Sequence, residues 1–251
     1  MAPAVNIPLI SAATGIVFLV ALSFRLFTMV PPSSDPSSVH TGETDDDTTA
    51  LSPEQRSARA EQKARAIFGD NFGRPVFLRL LKEDDLLELW IQSPQGTWSI
   101  AKQYPIAAWS GTLGPKLREG DGQSPEGFYD VTLASLNPRS NYHLSFNIGY
   151  PNAYDRSLGR TGSFIMIHGS DVSIGCYAMT DPLIEEIYGM VEAALRQRQP
   201  RVPVQIYPFA MTPERMAREA NSEHIGHWNY LLPGWQYTET HRAPYPAPTL
   251  P

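Results

Sequence analysis

The chain of 251 residues has one cysteine, Cys176, so an intramolecular disulfide is excluded. One Cys and one His would leave the chain two metal ligands to find, with no Cys-x-x-Cys to supply them, and no metal or cofactor is expected. It has no excess of basic residues: the net charge is −6, with 18% charged residues, which argues against a nucleic-acid partner. Nor is there an internal repeat. What is abundant is proline, 23 in all, gathered near both ends and in the middle loops, so a mainly helical chain is not expected.

Residues 5–24, "VNIPLISAATGIVFLVALSF", carry no charge and are long enough to cross a bilayer as a helix. Residues 1–30 are therefore expected to form a transmembrane anchor or a signal segment. No Lys or Arg precedes the run and Arg25 follows it, so charge bias alone does not direct the C-terminus outward. Residues 31–52, rich in Pro, Ser, Thr and Asp, read as a disordered linker spanning roughly 25 Å. A catalytic domain over 53–238 and a disordered tail over 239–251 complete the expected organisation.

The domain begins with Ser52-Pro53, a helix-start signal, and a charged helix ending at Gly69 that reads as peripheral. A strand meander follows, with breaks at Glu83-Asp84-Asp85 and at 93–96 and a polar tip over Lys82–Asp85. Leu87, Leu89 and Ile91 alternate with Glu88 and Trp90, so a second layer must cover the apolar face. "GFYDVTLA" and "VPVQIYPF" read as further strands. "NYHLSFNIGYPNAYDRSLGRTG" reads as a short strand opening into a long loop, too aromatic for disorder and of a length usual for functional loops. "SFIMIHG" fits a buried strand ending at His168. Asp181-Pro182 predicts a capped helix with Leu183, Ile184, Ile187, Met190, Val191, Ala194 and Leu195 on its buried face. "TPERMAREANSEH" reads as a capped terminal helix.

The chemistry gathers in "FIMIHGSDVSIGCYAMTD", residues 164–181. Cys176 there is an idle core thiol, a metal ligand or a nucleophile. A buried strand delivers His168, and a glycine-bearing loop of eight residues returns the chain to the cysteine. That separation brings an imidazole within reach of a sulfur, where a neighbouring His lowers the thiol pKa. Gly175 permits unusual backbone angles, so the amides of Gly175 and Cys176 are candidates for an oxyanion site. Outside the cytosol an unpaired thiol is a liability without a function, which favours the nucleophile.

The same residues resemble the active-site segment of the L,D-transpeptidase (YkuD-type) catalytic domain, and most resemble its YafK-like branch. There the spacer after the His is short and an aliphatic residue precedes Gly-Cys. The likeness extends through "SPEGFY", "YHLSFNIGYPNAYDR" and "GRTGS", over roughly residues 70–235. It implies an α+β fold, mostly β with peripheral helices: a β-sandwich with the catalytic Cys at one end of a groove. It implies Cys176 as nucleophile, His168 as general base, and Ser173 and Gly175 as the residues before the cysteine. Ile174 departs from the second His found in much of the family, with His143 the candidate to replace it; Ala178 stands where Asn is common.

The implied reaction is acyl transfer on peptidoglycan stem peptides at the diaminopimelyl L-centre through a Cys thioester. Hydrolysis of cross-links or release of a wall-linked lipoprotein is the alternative, and a catalytically silent, membrane-tethered wall-binding protein is another. An extracytoplasmic, periplasmic location follows from that substrate. Tyr142, His143, Asn147, Tyr150, Asn152, Arg156 and Arg160 are the candidates for substrate contact, since arginines pair carboxylates bidentately. Ser170 and Asp171 are candidates to orient His168, with backbone carbonyls as the alternative.

Overall fold

The structure is a computed structural model that describes residues 51–247. The expected anchor or signal segment, and the expected linker up to residue 50, lie outside the described residues. Among the described residues no helix is long and apolar enough to cross a membrane.

Helix α1 (Pro53–Phe68) starts where the sequence signals it. Ser52 accepts from the Gln55 amide, and the Gln55 side chain returns the bond to the Ser52 amide. Strands β1 (Val76–Leu81), β2 (Leu86–Gln92) and β3 (Trp98–Pro105) form the expected meander. With β4 (Gly127–Val131) and β9 (Val202–Tyr207) they make a five-stranded sheet, ordered β3-β2-β1-β9-β4, in which only β1 and β9 run parallel. A second sheet, ordered β5-β6-β7-β8, comprises β5 (Leu136–Asn137), β6 (Ser145–Asn147), β7 (Met166–His168) and β8 (Tyr177–Ala178). Two sheets with helices packed on them give the α+β fold expected.

Helix α3 (Asp181–Arg196) lies at the centre. Ile184, Ile187, Met190 and Val191 pack with Leu78, Leu80, Leu87 and Leu89 of the first sheet and Phe146 and Ile167 of the second. Helix α1 covers α3 through Ala60 and Ala64, both fully buried, so this charged helix contributes to the core on one face.

Four details differ from expectation. Lys82 is fully buried rather than at an exposed tip, because Glu126 and three carbonyls receive its ammonium. Asp181 does not cap α3; Thr180 occupies the cap, and the Asp181 carboxylate accepts the Ser170 amide at 2.7 Å. The terminal helix expected over 212–224 is shorter, α4 (Pro213–Arg218), and a further helix not expected, α5 (Ile225–His241), follows it, while α2 (Ala153–Ser157) interrupts the long loop. Helix α5 runs past the boundary at 238 because Glu239 pairs with Arg79 at 2.5 Å, and Tyr245 beyond it packs on Phe128.

Candidate active site

Strand β7 ends on His168, which is 3% exposed. Its Nδ1 lies 2.5 Å from the Gly169 carbonyl oxygen, a contact that requires Nδ1 to carry the proton and leaves Nε2 as the basic nitrogen. A backbone carbonyl thus orients the imidazole, whereas Ser170 and Asp171 do not bond to it. Tyr142 lies over the ring at 4.7 Å, tilted by 35°. Burial lowers the His168 pKa more than the Gly169 carbonyl and Asp181 raise it, so the imidazole is neutral at neutral pH.

Parallel pairing of β7 with β8 sets Ile167 beside Tyr177 and His168 beside Ala178, which brings Cys176 to the same end of the sheet as His168. Cys176, His168, Tyr142, Val172, Ser173 and Ile174 line one cleft of about 220 Å3. A larger depression, about 650 Å3, lies between α1, α3 and residues 133–138 and contains neither cysteine nor histidine.

The thiol sits in a backbone cradle. Its Sγ accepts from the Met166 amide at 3.4 Å and donates to the Phe164 carbonyl at 3.7 Å. Among the described residues no hydrogen bond joins Sγ to the imidazole. Burial raises the Cys176 pKa, and the Met166 amide and Lys116 only partly oppose it. The lowered thiol pKa expected from the His neighbour is therefore not present: desolvation raises it, the imidazole is not among the groups that lower it, and the pair rests as neutral thiol and neutral imidazole.

Gly175 adopts φ +108°, a conformation that side chains disfavour, and a Cβ there would meet nothing nearer than 3.7 Å. The glycine serves backbone geometry rather than space. Its amide, a candidate oxyanion donor, is instead donated to Ser110 Oγ at 2.6 Å. The Cys176 amide has no hydrogen-bond partner among the described residues and is the donor left for an oxyanion. Ser173 donates its hydroxyl to the Cys176 carbonyl at 2.8 Å, as does Ser124 at 2.9 Å.

The substrate-contact candidates divide sharply. Tyr142 lines the cleft. His143 does not supply a second imidazole, because its Nε2 is 2.9 Å from Glu185, itself paired with Arg59 and Lys63. Asn147 accepts the Gly149 amide in a turn, and Tyr150 donates to the Lys116 carbonyl. Asn152 caps α2 and reaches the Phe128 carbonyl. Arg156 bonds the Pro151 carbonyl on the surface, while Arg160 is buried against Asp155 at 2.8 Å. These six build the loop around the site and do not line the cleft. Ser110, Ser124 and Gly169 were missed; Gly169 adjoins the His, but nothing in the sequence ties the two serines to a cysteine more than fifty positions away.

A family model described as the L,D-transpeptidase catalytic domain, YkuD, matches residues 89–206. A protein of Escherichia coli (strain K12) named "Putative L,D-transpeptidase YafK" is 46% identical over 172 residues, covering 68% of this chain and 70% of that protein. The chain belongs to the L,D-transpeptidase (YkuD) family. It is an enzyme of that family, an L,D-transpeptidase or a related peptidoglycan hydrolase.

Solved structures that match the chain include the helical cell shape determining protein Pgp2 from Campylobacter jejuni. It is 22% identical over 75% of this chain and 67% of its own, with a TM-score of 0.43. Bd1075 from Bdellovibrio bacteriovorus is 17% identical over 66% of this chain and 58% of its own, with a TM-score of 0.38.

Proposed function

We propose that this L,D-transpeptidase-family enzyme uses Cys176 to form a thioester with a peptidoglycan stem peptide at the diaminopimelyl L-centre and passes the acyl group to an amine. The observation that carries the reading is the single cleft shared by Cys176 and a His168 whose Nδ1 is tied to Gly169. In acylation, His168 Nε2 takes the thiol proton as Sγ attacks the carbonyl carbon. The Cys176 amide meets the oxyanion. Collapse breaks the amide C–N bond, and the imidazolium returns the proton to the leaving amine. An acceptor amine then attacks the thioester, giving a proton to His168 Nε2, and the imidazolium returns that proton to the expelled thiolate.

A neutral pair suits this sequence, since general-base removal of the proton during attack avoids holding a buried thiolate beforehand. The peptidoglycan substrate goes with an extracytoplasmic location, for which the apolar run over 5–24 is the proposed anchor or signal. Under the hydrolytic alternative the leaving partner is a wall-linked lipoprotein.

Mass spectrometry of muropeptides incubated with wild type and Cys176→Ala tests the proposal. Cross-linked or amino-acid-exchanged products, made only by wild type, are expected. Products that gain water and never exchange would make the enzyme a hydrolase. No Cys176-dependent change, with protein-linked muropeptides included, would leave a wall-binding protein.

A further inference from the structure

Between β3 and β4 the chain makes a loop, residues 110–124, closed at its neck by two serines. The Ser124 amide donates to the Ser110 carbonyl at 2.9 Å, and the Ser110 amide donates to Ser124 Oγ at 3.0 Å. Beyond the neck both hydroxyls turn to the nucleophile segment. Ser110 Oγ accepts the Gly175 amide at 2.6 Å while donating to the Gly122 carbonyl at 2.6 Å. Ser124 Oγ donates to the Cys176 carbonyl at 2.9 Å. One serine therefore grips the peptide chain just before the nucleophile and the other just after it.

The loop is itself anchored from beneath. The buried Lys82 ammonium donates to the carbonyls of Thr112 at 2.8 Å and Ser124 at 3.0 Å, and lies 3.1 Å from Glu126 Oε1. Glu126 Oε1 in turn accepts the Gly114 amide at 2.6 Å. The Gln123 side chain closes the interior, giving and taking bonds at Thr112. Ser124 is fully buried, so its hydroxyl has no water to exchange with.

We propose that Ser110 and Ser124 are positioning residues: by holding the Ile174–Gly175 and Cys176–Tyr177 peptide planes they bracket the Gly175–Cys176 plane, so that the Cys176 amide faces the developing oxyanion. The inference rests on Cys176 being the acyl-accepting nucleophile. Gly175 at φ +108° has no side chain to hold its conformation, so outside contacts must do so. Bonds on both flanks, with Ser173 sharing the Cys176 carbonyl with Ser124, restrict the orientation of the intervening Cys176 amide. A misplacement near 1 Å at a reacting group costs about 100-fold in rate.

The test separates two reactions of the same thiol. Acylation by the carbapenem imipenem forms an Sγ–C bond, breaks the lactam C–N bond and develops an oxyanion. Alkylation by iodoacetamide displaces iodide and develops none. Ser110→Ala and Ser124→Ala are expected to lose about 10- to 100-fold in acylation rate, with alkylation within about twofold of wild type. Ser110→Thr, which keeps the hydroxyl, should recover most of the loss.

Acylation unchanged in both alanine variants, or acylation and alkylation falling together, would overturn the proposal. Amide hydrogen exchange at Gly175 gives a reading that does not depend on acyl chemistry. It should speed up about tenfold or more in Ser110→Ala, as expected for a released buried amide, and an unchanged rate would overturn the proposal. If wild type alkylates but never acylates, the assigned reaction fails, and Gly175 exchange decides whether the serines hold the loop.

Discussion

Lys82 and Glu126 form an ion pair of 3.1 Å in which neither side chain touches solvent. Glu126 also accepts from Gly114 and from Trp228 Nε1, so its carboxylate stays fixed if the lysine is removed. Breaking such a pair from one side leaves a buried charge uncompensated and costs about 3–5 kcal/mol. Lys82→Met should lose that much in urea denaturation, and Lys82→Met/Glu126→Gln clearly less. Equal losses in the two variants would refute the pairing as the source of the cost.

The resting state of the thiol is open to direct measurement. Burial disfavors both charged forms, raising the Cys176 pKa and lowering that of His168. Alkylation of wild type by iodoacetamide should therefore rise through alkaline pH, with a midpoint above that of a free thiol. A reactive shoulder below about pH 6, the signature of a thiolate beside an imidazolium, would contradict the structure.

Acid should weaken the fold through His227. Burial, followed by the nearby Arg160, lowers its pKa to about 3 from the ordinary 6.5. Above pH 6.5 both folded and unfolded states are neutral and the residue contributes no pH dependence. Between that value and about 3, only the unfolded state takes up the proton, so stability falls as pH falls. His227→Phe should flatten the dependence of urea stability on pH across this window. An unaltered slope would show that the carboxylates govern acid unfolding instead.

Gly189 on α3 faces α1 so closely that a Cβ would lie 2.3 Å from the Ala60 carbonyl oxygen. Gly189→Ala must push the helices apart, at a cost of about 1–3 kcal/mol. Ala is the better helix former, so on propensity alone the change would stabilise. A fall in thermal midpoint therefore identifies helix contact as the dominant effect, and a rise would reject it.

Much of the frame was legible because alternation and helical spacing are local signals. Leu87, Leu89 and Ile91 marked β2, and the apolar face over 183–195 marked α3. His168 and Cys176 were legible for a similar reason, since one strand and one loop carry both. Helix α5 was not, because Gly226, Pro233 and Gly234 break the propensity that a window over 225–241 would show. The polar loop misled in the opposite direction. Arg160, Tyr150 and Asn152 have side chains suited to binding a peptide, and composition does not reveal that they turn inward to hold the loop. Ser110 and Ser124 reach Gly175 and Cys176 across 65 and 52 positions, a distance at which no local pattern survives.

Helix α5 closes the reverse face of the first sheet. Trp235 stacks edge-on against Tyr207 at 5.4 Å, and the Arg79 guanidinium lies 4.6 Å from the Trp235 ring while pairing with Glu88 and Glu239. A shortened polypeptide that stops after β9 would keep His168, Cys176 and both sheets, yet expose Leu81, Phe128 and Tyr207 and leave Arg79 and Glu88 at an open surface. Such a fragment is a candidate for precipitation rather than crystallisation. The smallest recombinant piece suited to enzymology thus extends at least to Tyr245, and a purification handle belongs after that residue.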